Sequence, residues 1–241
     1  MNRKAKAILI ALAGVLALGT VAAYAGPVVY RDFFAAPAAP APTMLSADAS
    51  ELQPGGSESV DLAAMSGLWQ VVEGSEAGYR VDEVLNGTQV TVTGRTNDVT
   101  GSFLVNGLTL DTAEIVVAID SIETDSPSRD RYFQRYTMRS DQYPTASFTL
   151  TEPVTASQAP VQGEIFEQSL TGELTIAGVT RPTTFTAQFK VGSEQTTIIG
   201  QIPIRFADFR VEAPNLGFVS VHPEGIIEFE LIAELSPKPA G

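Results

Sequence analysis

Cysteine is absent from this chain of 241 residues, and histidine occurs once, as His222. The absence of cysteine excludes disulfides, thiolate zinc sites, iron–sulfur clusters and thiol nucleophiles. A single histidine excludes metal sites that need several imidazoles, and it leaves one candidate base for a Ser-His-Asp triad. The nucleophile-elbow, P-loop and dinucleotide-binding motifs are also missing. The sequence therefore predicts a protein that is not an enzyme and that has no metal centre and no cofactor.

Basic residues are scarce as well: 15 Lys and Arg stand against 28 Asp and Glu, which gives a net charge of −13. Four of the 15 fall within residues 1–31, a segment without any acidic residue. The rest of the chain is therefore strongly acidic and repels a phosphate backbone, so we predict no nucleic-acid partner. Such acidity is typical of proteins that surface charge keeps soluble outside the cell.

One long segment, residues 7–30, is uncharged and mostly apolar. A helix of about 20 such residues crosses the hydrocarbon layer of a membrane. Three basic residues precede the segment: Arg3, Lys4 and Lys6. By the positive-inside rule, these charges hold residues 1–6 in the cytoplasm. We predict a transmembrane anchor over residues 7–30, and hence a single-pass protein of the cell membrane whose C-terminal body is extracytoplasmic.

A cleaved signal peptide is the alternative interpretation of the same segment. Residues 23–25 read Ala-Tyr-Ala and fit the small-residue pattern of a cleavage site, so cleavage would fall between Ala25 and Gly26. The apolar run continues to residue 30, which favours the uncleaved anchor. Cleavage would give a secreted protein, and both interpretations place the body outside the cytoplasm.

The segment that follows, residues 31–66, is rich in alanine and proline at its start. Residues 35–42 read AAPAAPAP, a composition that favours an extended polyproline II spacer. The rest is rich in serine, glycine and glutamate without a periodic apolar pattern, so we predict a disordered linker over residues 31–66. A folded domain is predicted over residues 67–237, followed by a short tail at 238–241.

From Trp69 onward, apolar and polar residues alternate with a period of two, which predicts antiparallel strands with one solvated face. Asn86-Gly87 is typical of a two-residue hairpin turn, because both central positions of a type I′ turn need a positive φ. The alternation is compatible with either a closed barrel or a sandwich. It is also compatible with either a filled core or a hollow interior, because parity does not identify the inward face.

One segment, residues 120–148, interrupts the alternation. Ser126-Pro127 resembles a helix N-cap followed by proline at the first helical position, which predicts a short helix over residues 128–138. The segment holds a basic and aromatic cluster: Arg129, Arg131, Tyr132, Phe133, Arg135, Tyr136 and Arg139. Either these residues form the mouth of a ligand pocket, or the aromatic rings pack on the body while the arginines pair with Asp125, Asp130 and Asp141.

Three blocks of sequence follow one another in an order that resembles a known family. The first comprises Ser121, Thr124, Arg129, Asp130, Tyr143, Pro144, Ala146 and Phe148. The second runs from Gly172 to Pro182, and the third combines Phe206–Arg210, Gly217-Phe218 and Gly225–Phe229. From Trp69 to the C-terminus, the chain resembles the YceI-like family of polyisoprenoid-binding, lipocalin-like proteins.

The resemblance implies an all-β fold, namely an antiparallel eight-stranded lipocalin-like barrel with an elongated internal cavity and a short helical insert. It also implies that the cavity binds an isoprenoid lipid, such as a polyprenyl lipid or an isoprenoid quinone, for carriage or storage at the extracytoplasmic membrane face. The membrane would then be a second partner through the N-terminal helix, and a homodimer is also compatible with the sequence.

The residues expected to bind the ligand are inward apolar positions and the aromatic residues of the insert. They are Phe103, Ile119, Tyr132, Phe133, Tyr136, Phe148, Leu174, Phe189 and Phe206. Arg131 and Arg135 are candidates for contact with a head group. Two alternatives remain open: an extracytoplasmic interaction module with a filled barrel, and a lipid-modifying enzyme that would use His222 and Asp120.

Overall fold

The computed structural model describes residues 38–44, 60–85 and 87–237. The predicted cytoplasmic tail, transmembrane anchor, cleavage site and C-terminal tail lie outside these residues, as do Asn86 and most of the predicted linker. Among the described residues, no helix combines the length and the apolar character needed to span a membrane.

Eleven strands account for most of the described residues. They are β1 (Gly67–Val71), β2 (Glu76–Leu85), β3 (Thr88–Thr96), β4 (Val99–Asn106), β5 (Thr109–Ala118), β6 (Thr145–Leu150), β7 (Val154–Thr155), β8 (Ile165–Ile176), β9 (Val179–Val191), β10 (Gln195–Arg205) and β11 (Val219–Leu235). Burial follows the sequence alternation: in β9, Phe185 and Ala187 are buried, whereas their neighbours Thr184 and Thr186 are exposed.

The strands form a closed antiparallel barrel of eight strands, as the resemblance implied. Neighbouring strands follow the order β1, β4, β5, β6, β8, β9, β10 and β11, and β11 pairs again with β1. β2 continues the line of β1 along β11, and β3 continues the line of β4, so each pair forms one interrupted strand. Closure through β1 removes the exposed sheet edges in the part of the barrel around β1 and β4, whereas β3 keeps one edge without a strand partner among the described residues.

The interruption between β1 and β2 depends on Gly74 and Ser75. Gly74 has a φ of +95°, a left-handed conformation that glycine adopts without a Cβ clash. The buried Ser75 hydroxyl donates to the Val72 carbonyl at 2.8 Å and accepts from the Ile232 N–H at 2.9 Å. The bend divides the barrel into a lower half, around β1 and β4, and an upper half, around β2 and β3.

A helical insert links β5 to β6 beside the upper half. It contains an α-helix, α2 (Pro127–Tyr132), and continues as a π-helix (Phe133–Met138). The predicted helix is thus confirmed, with Pro127 in its first turn, although it changes to π-helical geometry halfway. The insert replaces a strand next to β3, because within the described residues β3 has a strand partner on one edge only, and its other edge meets the insert at an isolated Arg95–Glu123 bridge.

Part of the predicted linker differs from the expected disordered segment. Residues 62–65 form one helical turn, α1 (Leu62–Met65), and the Met65 carbonyl accepts a 2.9 Å hydrogen bond from the Trp69 indole. Further upstream, Ala39 donates to the Thr93 hydroxyl. The composition of the segment predicts only its backbone preferences. The turn at residues 62–65 also depends on Leu62 and Met65, whose apolar side chains contact the lower end of the barrel.

Two of the sequence blocks that carry the family resemblance pack against each other. Gly178, in the turn between β8 and β9, has a φ of +75°, and a Cβ there would lie 2.2 Å from the Tyr143 ring. Gly172 lies under the Phe148 ring, where a Cβ would lie 2.5 Å from a ring carbon. Both glycines are therefore needed for close approach of an aromatic ring to the backbone.

Candidate ligand cavity

Two adjacent chambers lie within the barrel. The upper chamber has a volume of about 1320 Å³ and the lower chamber a volume of about 210 Å³. Four residues line both, and we call this ring the waist: Ala77, Val117, Ala146 and Ile227. Both halves of the interior therefore contain free volume, which differs from the alternative of a filled barrel.

The lower chamber is almost entirely apolar. A chain of edge-to-face aromatic rings crosses it, with centroids of Phe148 and Phe185 5.1 Å apart and those of Phe185 and Phe229 5.9 Å apart. The Thr196 hydroxyl is an exception, because it is buried on the chamber wall and has no hydrogen-bond partner among the described residues. This chamber can hold hydrocarbon but offers little to a charged group.

The structure places four of the residues predicted to bind a ligand on the lower chamber. They are Phe103, Phe148, Leu174 and Phe189. Four more line the upper chamber: Ile119, Tyr132, Phe133 and Phe206. The strands and the insert bring these eight residues to the walls of the two chambers, and their part in binding a ligand stays a prediction.

The other three predicted residues do not line either chamber. Tyr136 is 63% exposed and lies against the Tyr132 ring, with centroids 5.2 Å apart. Arg135 lies over the Tyr136 ring, and Arg131 is exposed. The two head-group candidates therefore lie on the outer side of the insert rather than in the cavity, and the structure gives no geometry for contact with a head group there.

A buried ion pair holds the insert over the upper chamber. Glu83, on β2, is 5% exposed, points inward and accepts from the Arg129 guanidinium at 3.2 Å, while Asp125 contacts the same guanidinium. Burial opposes the charge on Arg129, but Glu83 and Asp125 outweigh it and raise the pKa of that residue. Arg129 therefore pairs with acidic neighbours, which is one of the two alternatives predicted for the arginines.

Ring stacking holds the same insert on β2. Tyr79 stacks on Phe133 with ring centroids 4.9 Å apart and an interplanar angle of 28°. Burial raises the pKa of Tyr79 well above its usual value, with Arg129 opposing the shift, so the phenol stays neutral. Asp130 holds the start of the insert by accepting from the Thr124 N–H at 3.0 Å and from its hydroxyl at 2.6 Å.

Sequence reasoning missed Glu83, although a signal was present. Val81, Glu83 and Leu85 share the parity of the inward residues of β2, and all three line the upper chamber. A carboxylate in an inward series is unusual unless a partner satisfies it. The partner, Arg129, lies 46 positions away in sequence, so only the fold reveals the pair.

The two side chains considered for the enzyme alternative are both exposed. His222 lies on β11, and Asp120 lies in the turn that follows β5. Within the described residues, no group of three or more His, Asp or Glu side chains is arranged to hold a metal ion.

The chain matches a known family. Residues 69–233 match the family model of the YceI-like domain. The chain is 28% identical over 149 residues to a UPF0312 protein of Vibrio campbellii, a match that covers 56% of this chain and 74% of that protein.

Two solved structures share the fold. A polyisoprenoid-binding domain from Saccharophagus degradans, implicated in plant cell wall breakdown, is similar with a TM-score of 0.58 at 18% identity, over 71% of this chain and 99% of that one. BcnA of Burkholderia cenocepacia is similar with a TM-score of 0.52 at 18% identity, over 72% of this chain and 98% of that one.

Proposed function

Because this chain belongs to the YceI-like family, we propose that it binds an isoprenoid lipid, a polyprenyl lipid or an isoprenoid quinone, with the apolar tail inside the two-chamber cavity. The proposal includes carriage or storage of that lipid at the extracytoplasmic face of the membrane. The N-terminal segment would hold the barrel near this face. Members of the family bind ligands. We propose that this chain likewise binds its lipid without changing the lipid chemically.

The apolar residues on the walls of both chambers are the observation that carries the proposal. They include Phe206 in the upper chamber, Ile227 in the waist and Leu170 in the lower chamber, whereas the Glu83–Arg129 pair lies on the upper chamber only. Each buried methylene contributes ~0.8 kcal/mol, so about ten such groups contribute roughly 8 kcal/mol before ordering costs. That free energy corresponds to roughly micromolar affinity, which suits a reversible carrier.

The methyl-branched shape of an isoprenoid is compatible with this interior. The small residues Ala77 and Ala146 line the waist, whereas bulky rings such as Phe148 and Phe185 line the lower chamber. A flexible, uncharged tail can thread such a passage, and a charged group would lose its hydration in the lower chamber. The polar head would therefore stay in the upper chamber or at its opening.

Lipid analysis of the full-length protein tests the proposal. The protein would be purified from its own host membranes in a mild detergent, and its lipids extracted and compared by mass spectrometry with those of the starting membranes. We expect an isoprenoid to be strongly enriched over phospholipid in the protein fraction. A lipid composition that mirrors the membranes, together with no uptake of added isoprenoid, would contradict the proposal.

A further inference from the structure

Three exposed apolar side chains lie together at the upper end of the barrel. Phe218 is 58% exposed, Leu216 46% and Val84 38%. Val84 pairs with Ser220 across β2 and β11, and the Leu216 N–H donates to the Val219 carbonyl at 2.8 Å. The three belong to two neighbouring segments, residues 84–85 with 87–94 and residues 213–221, which we call the apolar collar.

The apolar collar surrounds part of the opening of the upper chamber. Leu216 and Phe218 line that chamber and are also exposed to solvent, so they must lie where the chamber meets solvent. The insert also lines this chamber, with the exposed polar residues Asp125 and Ser128.

The collar segments themselves carry no charged residue. Neither residues 84–94 nor residues 213–221 contain an Asp, Glu, Lys or Arg, in a chain whose net charge is −13. Exposed apolar groups on a charge-free surface favour an uncharged, apolar environment. An acidic protein is repelled by an anionic surface, so a zwitterionic one suits this chain better.

We propose that the apolar collar inserts into the surface of a zwitterionic lipid bilayer and so places the cavity opening against the hydrocarbon region. The proposal rests on the proposed function, because a lipid ligand must leave a bilayer to enter the barrel. A tail that passes from the bilayer directly into the chamber avoids the exposure of its methylenes to water, which costs ~0.8 kcal/mol for each.

A bilayer fits the collar better than a protein partner. Specific protein interfaces usually carry charged or hydrogen-bonding groups around an apolar centre, and these groups fix the orientation of the partner. The collar offers no charged side chain for that purpose, and insertion into lipid requires none. A second copy of this chain or another protein is an outcome that the test below separates.

Site-specific fluorescence on the full-length chain tests the proposal, and the absence of native cysteine makes a single label simple. Ser220→Cys carries an environment-sensitive dye beside the collar, and Thr100→Cys carries it on the outer face of β4. Both proteins would be reconstituted with phosphatidylcholine vesicles that contain a lipid-borne quencher. We expect quenching and a blue shift at position 220 and neither change at position 100.

Two double variants of the Ser220→Cys protein test whether the membrane response depends on the collar or arises from any exposed apolar side chains. Leu216→Ser with Phe218→Ser should lower the ratio of inserted to free collar by at least roughly tenfold, because two large apolar groups lose their transfer free energy. Leu68→Ser with Leu104→Ser is the matched control, since these leucines pair on the outer wall and are 43% and 40% exposed. All variants keep the N-terminal segment, so any attachment through that segment is common to them.

Several results would overturn the proposal. They are an unresponsive label at position 220, an equal response at position 100, and an equal loss in the control double variant. A spectral shift that grows with protein concentration without vesicles would assign the collar to a second copy instead. The lipid analysis of the preceding section is independent, so collar insertion can fail while isoprenoid binding stands, and the reverse also holds.

Discussion

The two halves of the barrel are built from the same long strands, yet their interiors differ about sixfold in volume. In the lower half, β1 pairs with β4 on one edge and with β11 on the other, and the wall is closed by strand hydrogen bonds. In the upper half, β3 has a strand partner on one edge, and the helical insert takes the place of the next strand.

This difference in volume shows how an eight-stranded barrel can retain a cavity. Strands in a ladder lie ~4.8 Å apart, so inward side chains of a closed eight-stranded wall can nearly fill the interior. A helix has a diameter of ~10 Å and rests on the sheet through a few side chains, here the Phe133 ring and the Arg129 guanidinium. The upper chamber is large because a helix stands where a strand would close the wall.

The largest expected effect comes from removing a buried charge in the upper half. Glu228 is 1% exposed on the outer side of β11, where it accepts from Arg80 at 2.7 Å and contacts Arg95. Glu228→Ala would leave two partly buried guanidinium groups without this partner, so we expect a loss of ~3–5 kcal/mol in the free energy of unfolding.

Urea unfolding measures that loss, with Glu173→Ala as the control, because Glu173 is an exposed glutamate on β8. We expect the control to change the free energy of unfolding by less than about 0.5 kcal/mol. Equal losses in the two variants would show that the ion cluster does not hold β2, β3 and β11 together.

Truncation of one phenylalanine in each half compares the packing of the chambers directly. Phe103 is 6% exposed in the lower half, whereas Phe206 is half-buried beside the upper chamber. We expect Phe103→Ala to cost ~3–5 kcal/mol, because it leaves a cavity among packed neighbours. Phe206→Ala should cost about half of that, because its ring already borders open space. Thermal and urea unfolding check the order, and a larger loss at Phe206 would contradict the contrast.

Blocking the waist would separate the chambers functionally. Ala146 lines both chambers, and Ala146→Phe should keep long isoprenoid tails out of the lower one. With isoprenoid alcohols of increasing length, we expect roughly tenfold weaker binding of the longest and unchanged binding of the shortest, because about two methylenes or more lose their burial.

Isothermal titration of the full-length protein checks the length dependence, and Thr149→Phe is the matched control. Thr149 lies on the same strand, is exposed and faces outward by parity. An equal loss for all lengths, or for both variants, would mean that the waist does not limit the tail.

The smallest expected effect concerns pH. Glu230 lies directly opposite Glu76 across β11 and β2, and burial together with Glu76 raises the pKa of Glu230 above its usual range. An acid whose folded pKa is raised contributes stability below its unfolded pKa of ~4.3, and that contribution is lost as pH rises through the folded pKa.

Glu230→Gln should therefore stabilise the protein by ~0.2–1 kcal/mol at neutral pH and make no difference below about pH 4. Urea unfolding at several pH values measures this, with Glu173→Gln as the control. A stabilisation that persists unchanged at low pH would show that the carboxylate repulsion is not its cause.

Several elements of the fold were accessible from the sequence because their causes are local. Alternation identified the strands, and the proline at position 127 marked the start of the insert helix. The resemblance supplied strand number and closure, which alternation leaves open. The ordered turn at residues 62–65 was missed, because it depends on contact with a barrel end that composition does not encode.

The candidate site was accessible only in part. Phe103, Phe148 and Phe189 were predicted as inward apolar positions, and the structure brings them to one chamber. Parity does not reveal the Glu83–Arg129 pair, because each partner lies on a different element. Parity could not place Arg131 either, because this residue lies on the insert helix, where its position directs it away from the cavity.

The sequence by itself determined that the body is built from two-faced antiparallel strands with one helical interruption, because side-chain periodicity is a property of the local backbone. Only the tertiary structure decided that the interior is hollow. The volume inside a barrel depends on how far apart opposite walls stand, and that distance is set where β1 bends into β2 and where a helix replaces a strand.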